Sequence, residues 1–325
     1  MTGRREAEAR LSSVERSWGP RSVTLSNGPG RGRRQIDLRH LGGLAVTVEP
    51  DQFLDLGEAF WRGELVSFAP ASTSPRAETW GRRWLGGLLT TCGLAAVGEA
   101  PAEHGGMHGR AQLIPATLTR AEGRWEGDRY RLEVAGHLRE GGIFEGNLTT
   151  ERSITAERGV SRIRIVDVVR NEGFEATPVK LLYHLNVGWP VVDTGTRVAA
   201  EAAPPGGAGR EWQATLSAPQ PGADEVVDAL VAVPDHRGWA AVTVSAPGTA
   251  ARPGIRVAVR YRAAELPFLT VWRSQAAGAY ALGIEPGTCW PSHADGPDSG
   301  KVGRVLEPGE SVTTDLELEF GAGEG

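Results

Sequence analysis

The feature that most constrains this chain is a period of two. Apolar and polar residues alternate through short runs at residues 22–25, 35–39, 44–48, 130–134 and 161–169. The pattern returns at residues 179–185, 241–244, 255–261 and 314–320. Such alternation puts successive side chains on opposite faces of a strand. With one face apolar and the other polar, it predicts antiparallel strands with one wet face. No stretch holds a 3.6-residue apolar period for more than a few turns. The 44 glycines and 21 prolines punctuate the runs instead. The expected class is all-β, with large, twisted antiparallel sheets packed face to face. No repeat of fixed period is present, which argues against a propeller or solenoid.

At 325 residues the chain has room for one large β domain or two ordinary ones. Residues 1–20 are rich in Arg and Glu and read as a polar lead-in, mobile or loosely docked. Residues 21–325 are expected to form the single β domain. The Pro- and Gly-rich stretch 203–209 reads as a long surface loop, because the same strand style resumes on both sides. A formal net charge of −5 argues against nucleic acid or an anionic membrane as partner. No apolar run reaches signal-peptide or membrane-spanning length. The two cysteines, Cys92 and Cys289, make no disulfide framework and no zinc-ligand spacing. The expectation is a cytoplasmic protein without a metal.

Three segments carry candidate chemistry. The first is Met107-His108-Gly109-Arg110, after Gly105-Gly106. In an extended segment His108 and Arg110 share a face and project into one pocket, with Gly109 allowing close approach to the backbone. The second is Tyr183-His184-Leu185-Asn186-Val187-Gly188-Trp189-Pro190, where His184 and Asn186 share a face and Trp189 supplies an aromatic wall. The third is Gly283-Ile284-Glu285-Pro286-Gly287, where an acid interrupts an apolar strand. An inward carboxylate is costly unless it is paired or used. The bland alternatives are a core histidine bonded to backbone and a strand-end glutamate facing solvent. Both stay open at the level of these residues.

In this order, the blocks resemble the aldose 1-epimerase (galactose mutarotase-like) superfamily, and more closely its poorly characterised aldose-epimerase-like branch. The matching blocks are Gly-Gly-Leu-Leu-Thr-Thr-Cys-Gly-Leu at 86–94, His108-Gly109-Arg110 with Pro115-Ala116, the run 183–190, and Gly283 to Pro286. A Leu-Glu-Pro-Gly-Glu turn follows at 306–310, and the resemblance spans residues 22 to 321. It implies a large antiparallel β-supersandwich with a carbohydrate cleft. It also implies that His184 is the general acid on the ring oxygen and Glu285 the general base on the anomeric hydroxyl. His108 and Arg110 would bind hydroxyls, with Asn186 and Trp189 beside them. Asp235 falls in the interval where mutarotases carry a sugar-binding Asp.

The chemistry is consistent with that assignment. Opening a hemiacetal adds a proton to the ring oxygen while one leaves the anomeric oxygen, which an acid and a base do together. No cofactor is needed, and no nucleotide-binding fingerprint is present. One block departs from the branch: Asp51-Gln52-Phe53-Leu54-Asp55 has Gln52 where the branch has Arg and Phe53 where it has Gly. A lost guanidinium and an added ring suggest a pocket for a less polar or less anionic ligand. Trp61, Trp80, Trp189, Trp239, Trp272 and Trp290 offer further aromatic surface, some for a sugar face and most for the core. The expected function is a cofactor-independent carbohydrate isomerase acting on a small carbohydrate or glycoside. Two alternatives remain: an acid/base lyase, cyclase or epimerase of a glycoside or secondary metabolite, and a non-catalytic carbohydrate-binding protein.

Overall fold

The computed structural model describes residues 3–75, 77–101, 105–207, 209–250, 252–292 and 303–323. Strands β1 (Arg21–Thr24), β2 (Arg34–Leu41), β3 (Leu44–Glu49), β4 (Asp55–Trp61) and β5 (Glu64–Leu65) form an antiparallel sheet in chain order. They are followed by β6 (Leu89–Leu94), β7 (Thr117–Glu126), β8 (Arg129–Gly141), β9 (Asn147–Glu157), β10 (Arg162–Asn171) and β11 (Thr177–Gly188). Next come β12 (Arg197–Ala200), β13 (Ala202–Ala203), β14 (Trp212–Thr215), β15 (Glu225–Ala232) and β16 (Trp239–Ala246). The chain ends with β17 (Ile255–Arg262), β18 (Phe268–Ala276), β19 (Ala279–Gly287), β20 (Arg304–Leu306) and β21 (Ser311–Ala322). A nine-stranded sheet has the order β14-β12-β16-β17-β21-β10-β9-β8-β7. A seven-stranded sheet runs β13-β15-β18-β19-β11-β20, with β6 also paired to β11. The expected all-β class is the observed one.

The alternation works as expected in the nine-stranded sheet. Ile163, Ile165 and Val169 of β10 and Leu316, Leu318 and Phe320 of β21 are buried. The intervening Arg162 and Arg164 point outward to Glu319 and Asp315, each at 2.6 Å. The exposed Arg162–Glu319 pair contributes little to stability. The seven-stranded sheet is different. All of β6, β11 from Leu181 and β19 from Ala281 are buried without a break. Strands covered on both faces lose the alternation.

The two large sheets are joined by a buried polar network as well as by apolar packing. Arg152 of β9 is fully buried and donates to Asp167 at 2.7 and 2.9 Å, to Asp55 at 2.8 Å and to Thr91 at 2.9 Å. Tyr183 of β11 donates to Asp167 at 2.6 Å. One guanidinium therefore ties β4, β6, β10 and, through Asp167, β11 to β9. Burial outweighs the neighbouring Arg152 and pushes Asp55 up to about 6.

The N-terminal segment is docked more firmly than its composition suggests. Helices α1 (Arg4–Glu8) and α2 (Val14–Trp18) bury Ala7 and Trp18. The Trp18 ring packs edge-on against Trp125 and Tyr130, and the Arg158 guanidinium lies 3.7 Å from its centroid. One aromatic in a polar stretch gives no periodic signal, so its anchoring is invisible to pattern reading. Residues 203–209 do form a connection, of which Ala208 lies outside the described residues. Around Glu201 the chain crosses from β12 in the nine-stranded sheet to β13 in the seven-stranded one. It then returns to β14, which pairs with β12.

Candidate active site

A cavity of about 190 Å³ opens on the seven-stranded sheet and is lined by His184, Glu285, Thr270, His108, Glu225 and the indoles of Trp80, Trp84 and Trp272, with Met107 and Val227. Its floor is built by register. Thr270 of β18 pairs with Glu285 of β19, and His184 of β11 pairs with Thr90 of β6. His184 Nε2 stands 3.2 Å from Glu285 Oε1. This is ion-pair range, but the alignment falls short of a hydrogen bond, and Glu285 Oε1 has no hydrogen-bond partner among the described residues. Thr270 Oγ1, also buried, has none either. Two buried oxygens without a hydrogen bond on one floor are what a hydroxylated ligand would satisfy.

Glycine makes this floor possible. A Cβ at Gly283 would lie 2.6 Å from Glu285 Oε1 and 2.9 Å from His184 Cε1, so a side chain there would break the pair. Burial, with the Glu225 carboxylate as a second cause, pushes the Glu285 carboxyl well above the ordinary range. Glu225 sits at the mouth, where Trp272 Nε1 donates to it at 2.7 Å. Glu285 is 2% exposed, so the solvent-facing alternative does not hold. His184 is buried but faces the cavity rather than the core.

The remaining wall comes from two loops. Trp80 opens the short helix α3 (Trp80–Arg83), and Trp84 follows four residues on. Their rings stack at 4.8 Å, and Trp84 Nε1 donates to Thr90 at 2.8 Å. The His108 loop is pinned against β6: Gly93 N donates to the His108 carbonyl at 2.9 Å, and Arg110 N to the Gly93 carbonyl at 3.1 Å. Gly109, with φ of +74°, passes so close that a Cβ would meet the Ala96 carbonyl at 2.5 Å. His108 itself has φ of +63°. For a non-glycine residue such a conformation is strained by roughly 1–3 kcal/mol. Gly98 N donates to His108 Nδ1 at 3.3 Å, which places the proton of a neutral imidazole on Nε2.

The structure brings together His108, His184 and Glu285 of the expected residues. It places four others outside the cavity lining. Arg110 turns away to Glu140 and Glu145. The expectation of a shared face assumed extended backbone, whereas His108 and Gly109 are left-handed and Arg110 leads into a 3₁₀ turn. Asn186 is fully buried, and its Nδ2 donates to the His184 carbonyl at 2.8 Å. Trp189 is 61% exposed, beyond the end of β11, with the Arg252 guanidinium 5.6 Å from its ring. Asp235 lies in the turn after β15 and accepts from the backbone of Arg237 and Trp239 at 2.8 and 3.0 Å. Glu225 and Val227, at the start of the same strand, are the part that reaches the cavity.

Phe53 also corrects its expectation. It is 1% exposed in the core with Arg152 over its ring, so it adds no aromatic surface to a pocket. The guanidinium absent at Gln52 is returned from another element, because Arg33 Nη2 donates to Gln52 Oε1 at 2.6 Å.

Trp84, Thr270 and Glu225 are site residues that pattern reading did not single out. Trp84 carried a signal, four residues after Trp80. Glu225, in the interval between His184 and Glu285, opens a run without alternation and carried no such signal. Among the described residues no three His, Cys, Asp or Glu side chains are grouped to hold a metal. Cys92 and Cys289 lie buried with Val97 and Leu182, and burial raises both thiols, Cys289 to about 12. Neither supplies a thiolate at neutral pH.

The fold is that of galactose mutarotase-like β-sandwiches. Solved structures with this fold include a provisionally assigned aldose 1-epimerase from Klebsiella pneumoniae, with a TM-score of 0.78 and 19% identity over 93% of this chain and 83% of that one. A galactose 1-epimerase from Lactobacillus acidophilus gives a TM-score of 0.60 and 15% identity over 94% and 99% of the two chains. A galactose mutarotase-like protein from Clostridium acetobutylicum gives 0.61 and 14% over 93% and 98%. No curated protein matches. The model for a domain of unknown function, DUF4432, matches residues 30–320, and the chain belongs to that family.

Proposed function

We propose that the protein is a cofactor-independent carbohydrate epimerase that interconverts anomers in the His184–Glu285 cavity. The observation that carries this reading is the 3.2 Å contact between imidazole and carboxyl in a cavity lined by three indoles. The ring oxygen and the anomeric oxygen are bonded to the same carbon. An acid and a base side by side can therefore reach both from one edge of the ring.

In the opening step Glu285 takes the proton of the anomeric hydroxyl while protonated His184 gives one to the ring oxygen. The C–O bond of the ring breaks, a free aldehyde forms, and the pair is left neutral. Burial favours a neutral pair, since desolvation penalises charge. The raised Glu285 thus stabilises the site while the sugar is open. After rotation about one bond, the reverse transfers close the other anomer and restore both residues. His108, through Nε2–H, and Thr270 are placed to hold hydroxyls, and the indoles to cover the sugar's C–H face.

Exchange between anomers, followed by NMR or optical rotation across free aldoses, identifies a substrate. On that substrate Glu285→Gln is expected to lower turnover by roughly 10²–10⁴-fold while binding changes far less. Near-wild-type turnover in the variant would overturn the assignment.

A further inference from the structure

At about 190 Å³ the acid/base cavity is smaller than the ~300–1,000 Å³ usual for a small-molecule site. It has a larger neighbour. A second cavity, of about 420 Å³, shares Trp84 as a common wall and is lined on its other sides by Arg33, Gln35, Glu49, Gln52 and Gln112, with Phe68 as apolar surface. Phe68 also packs against Trp84 and Trp272, at 5.5 and 6.5 Å between centroids. The two spaces thus lie on either side of one aromatic wall built on Trp84.

The chemistry of the second cavity is specific. Its one lining cation among the described residues is already matched: Arg33 Nη2 lies 2.7 Å from Glu49 Oε2, with side chains 15% and 7% exposed. Gln35 donates to the other Glu49 oxygen at 2.9 Å. A guanidinium neutralised in place attracts no anion, so an acidic ligand is disfavoured. Asp55, bound by Arg152, and Glu58 add carboxylates that further disfavour an anion, and the remaining polar lining is amide and hydroxyl, from three glutamines together with Ser67, Ser72, Thr73 and Thr90. Gln112 is 4% exposed, and its Nε2 has no hydrogen-bond partner among the described residues. Uncharged donors and acceptors beside an aromatic face suit a neutral polyol.

We propose that this second cavity is a sugar subsite, and that the substrate is a disaccharide with a free reducing end. Its reducing ring sits between His184, Glu285 and the indoles, and its second, neutral ring lies beyond Trp84 against the glutamines. This rests on the acid/base cavity holding the reducing ring.

Calorimetric titration of the full-length protein tests it with glucose against maltose, cellobiose and lactose, and galactose against galactobiose. At least one disaccharide is expected to bind about ten-fold or more tightly than its own reducing monosaccharide. Gln112→Leu removes the buried amide, and Thr73→Trp, at an exposed position, fills the cavity mouth. Each is expected to bring that disaccharide to within about two-fold of the monosaccharide. Thr73→Trp alone decides the matter where Gln112→Leu fails to fold. The proposal fails if no disaccharide binds more tightly than its reducing monosaccharide, or if the preference survives Thr73→Trp. Binding is read without turnover. A lack of anomer exchange with these sugars therefore counts against Glu285 as base, while the affinity comparison still decides the subsite.

Discussion

Glu225 reaches the cavity mouth from β15 and makes the Glu285 carboxyl harder to ionise. The sign follows from repulsion between like charges. With Glu225 ionised, an ionised Glu285 is disfavoured, and its pKa rises. Glu225→Gln removes that charge yet leaves an amide oxygen for the Trp272 N–H. Glu285 should then lose its proton at lower pH. If Glu285 is the base in the opening step, the acid limb of the kcat/KM profile moves to lower pH in the variant. A limb that stays in place would show that the two carboxyls do not communicate. His108 illustrates a different residue-scale effect. Its left-handed backbone, locked by the Gly93–Gly109 contact, is what aims an imidazole into the cavity while sending the neighbouring Arg110 elsewhere.

At the scale of elements, the site depends on what lies behind β11. His184 points into the cavity, and Tyr183 on the opposite face joins the Arg152–Asp167 network. Arg152→Met would leave Asp167 and Asp55 buried without their cation. Breaking a buried pair by removing one partner costs about 3–5 kcal/mol. Denaturant unfolding should show that loss, and a change under 1 kcal/mol would mean the network carries little of the sheet-to-sheet docking.

Across the whole molecule, what could be read in advance divides along burial. Strands with one wet face, such as β10 and β21, announce themselves by alternation. β6, which is buried on both faces, shows only as a motif, and β18 carries no alternation to mark it. His108, His184 and Glu285 were legible because each is a polar residue set among glycines and apolar neighbours. Trp84, Thr270 and Glu225 were not, because their role arises only when β15, β18 and the α3 segment meet over one floor. The docked N-terminus belongs to the same class of tertiary fact. Trp18→Ala should destabilise the fold by about 3–5 kcal/mol, the usual cost of emptying an indole site. A thermal or denaturant shift near zero would restore the picture of a loosely attached lead-in. The stacked Trp80–Trp84 pair has an optical consequence. Closely stacked indoles couple their excited states, and these two, with Trp272, line the space a sugar would enter. Occupancy of the cavity should therefore alter their emission and their near-ultraviolet circular dichroism, and the chain would report its own ligand without a label or a coupled assay.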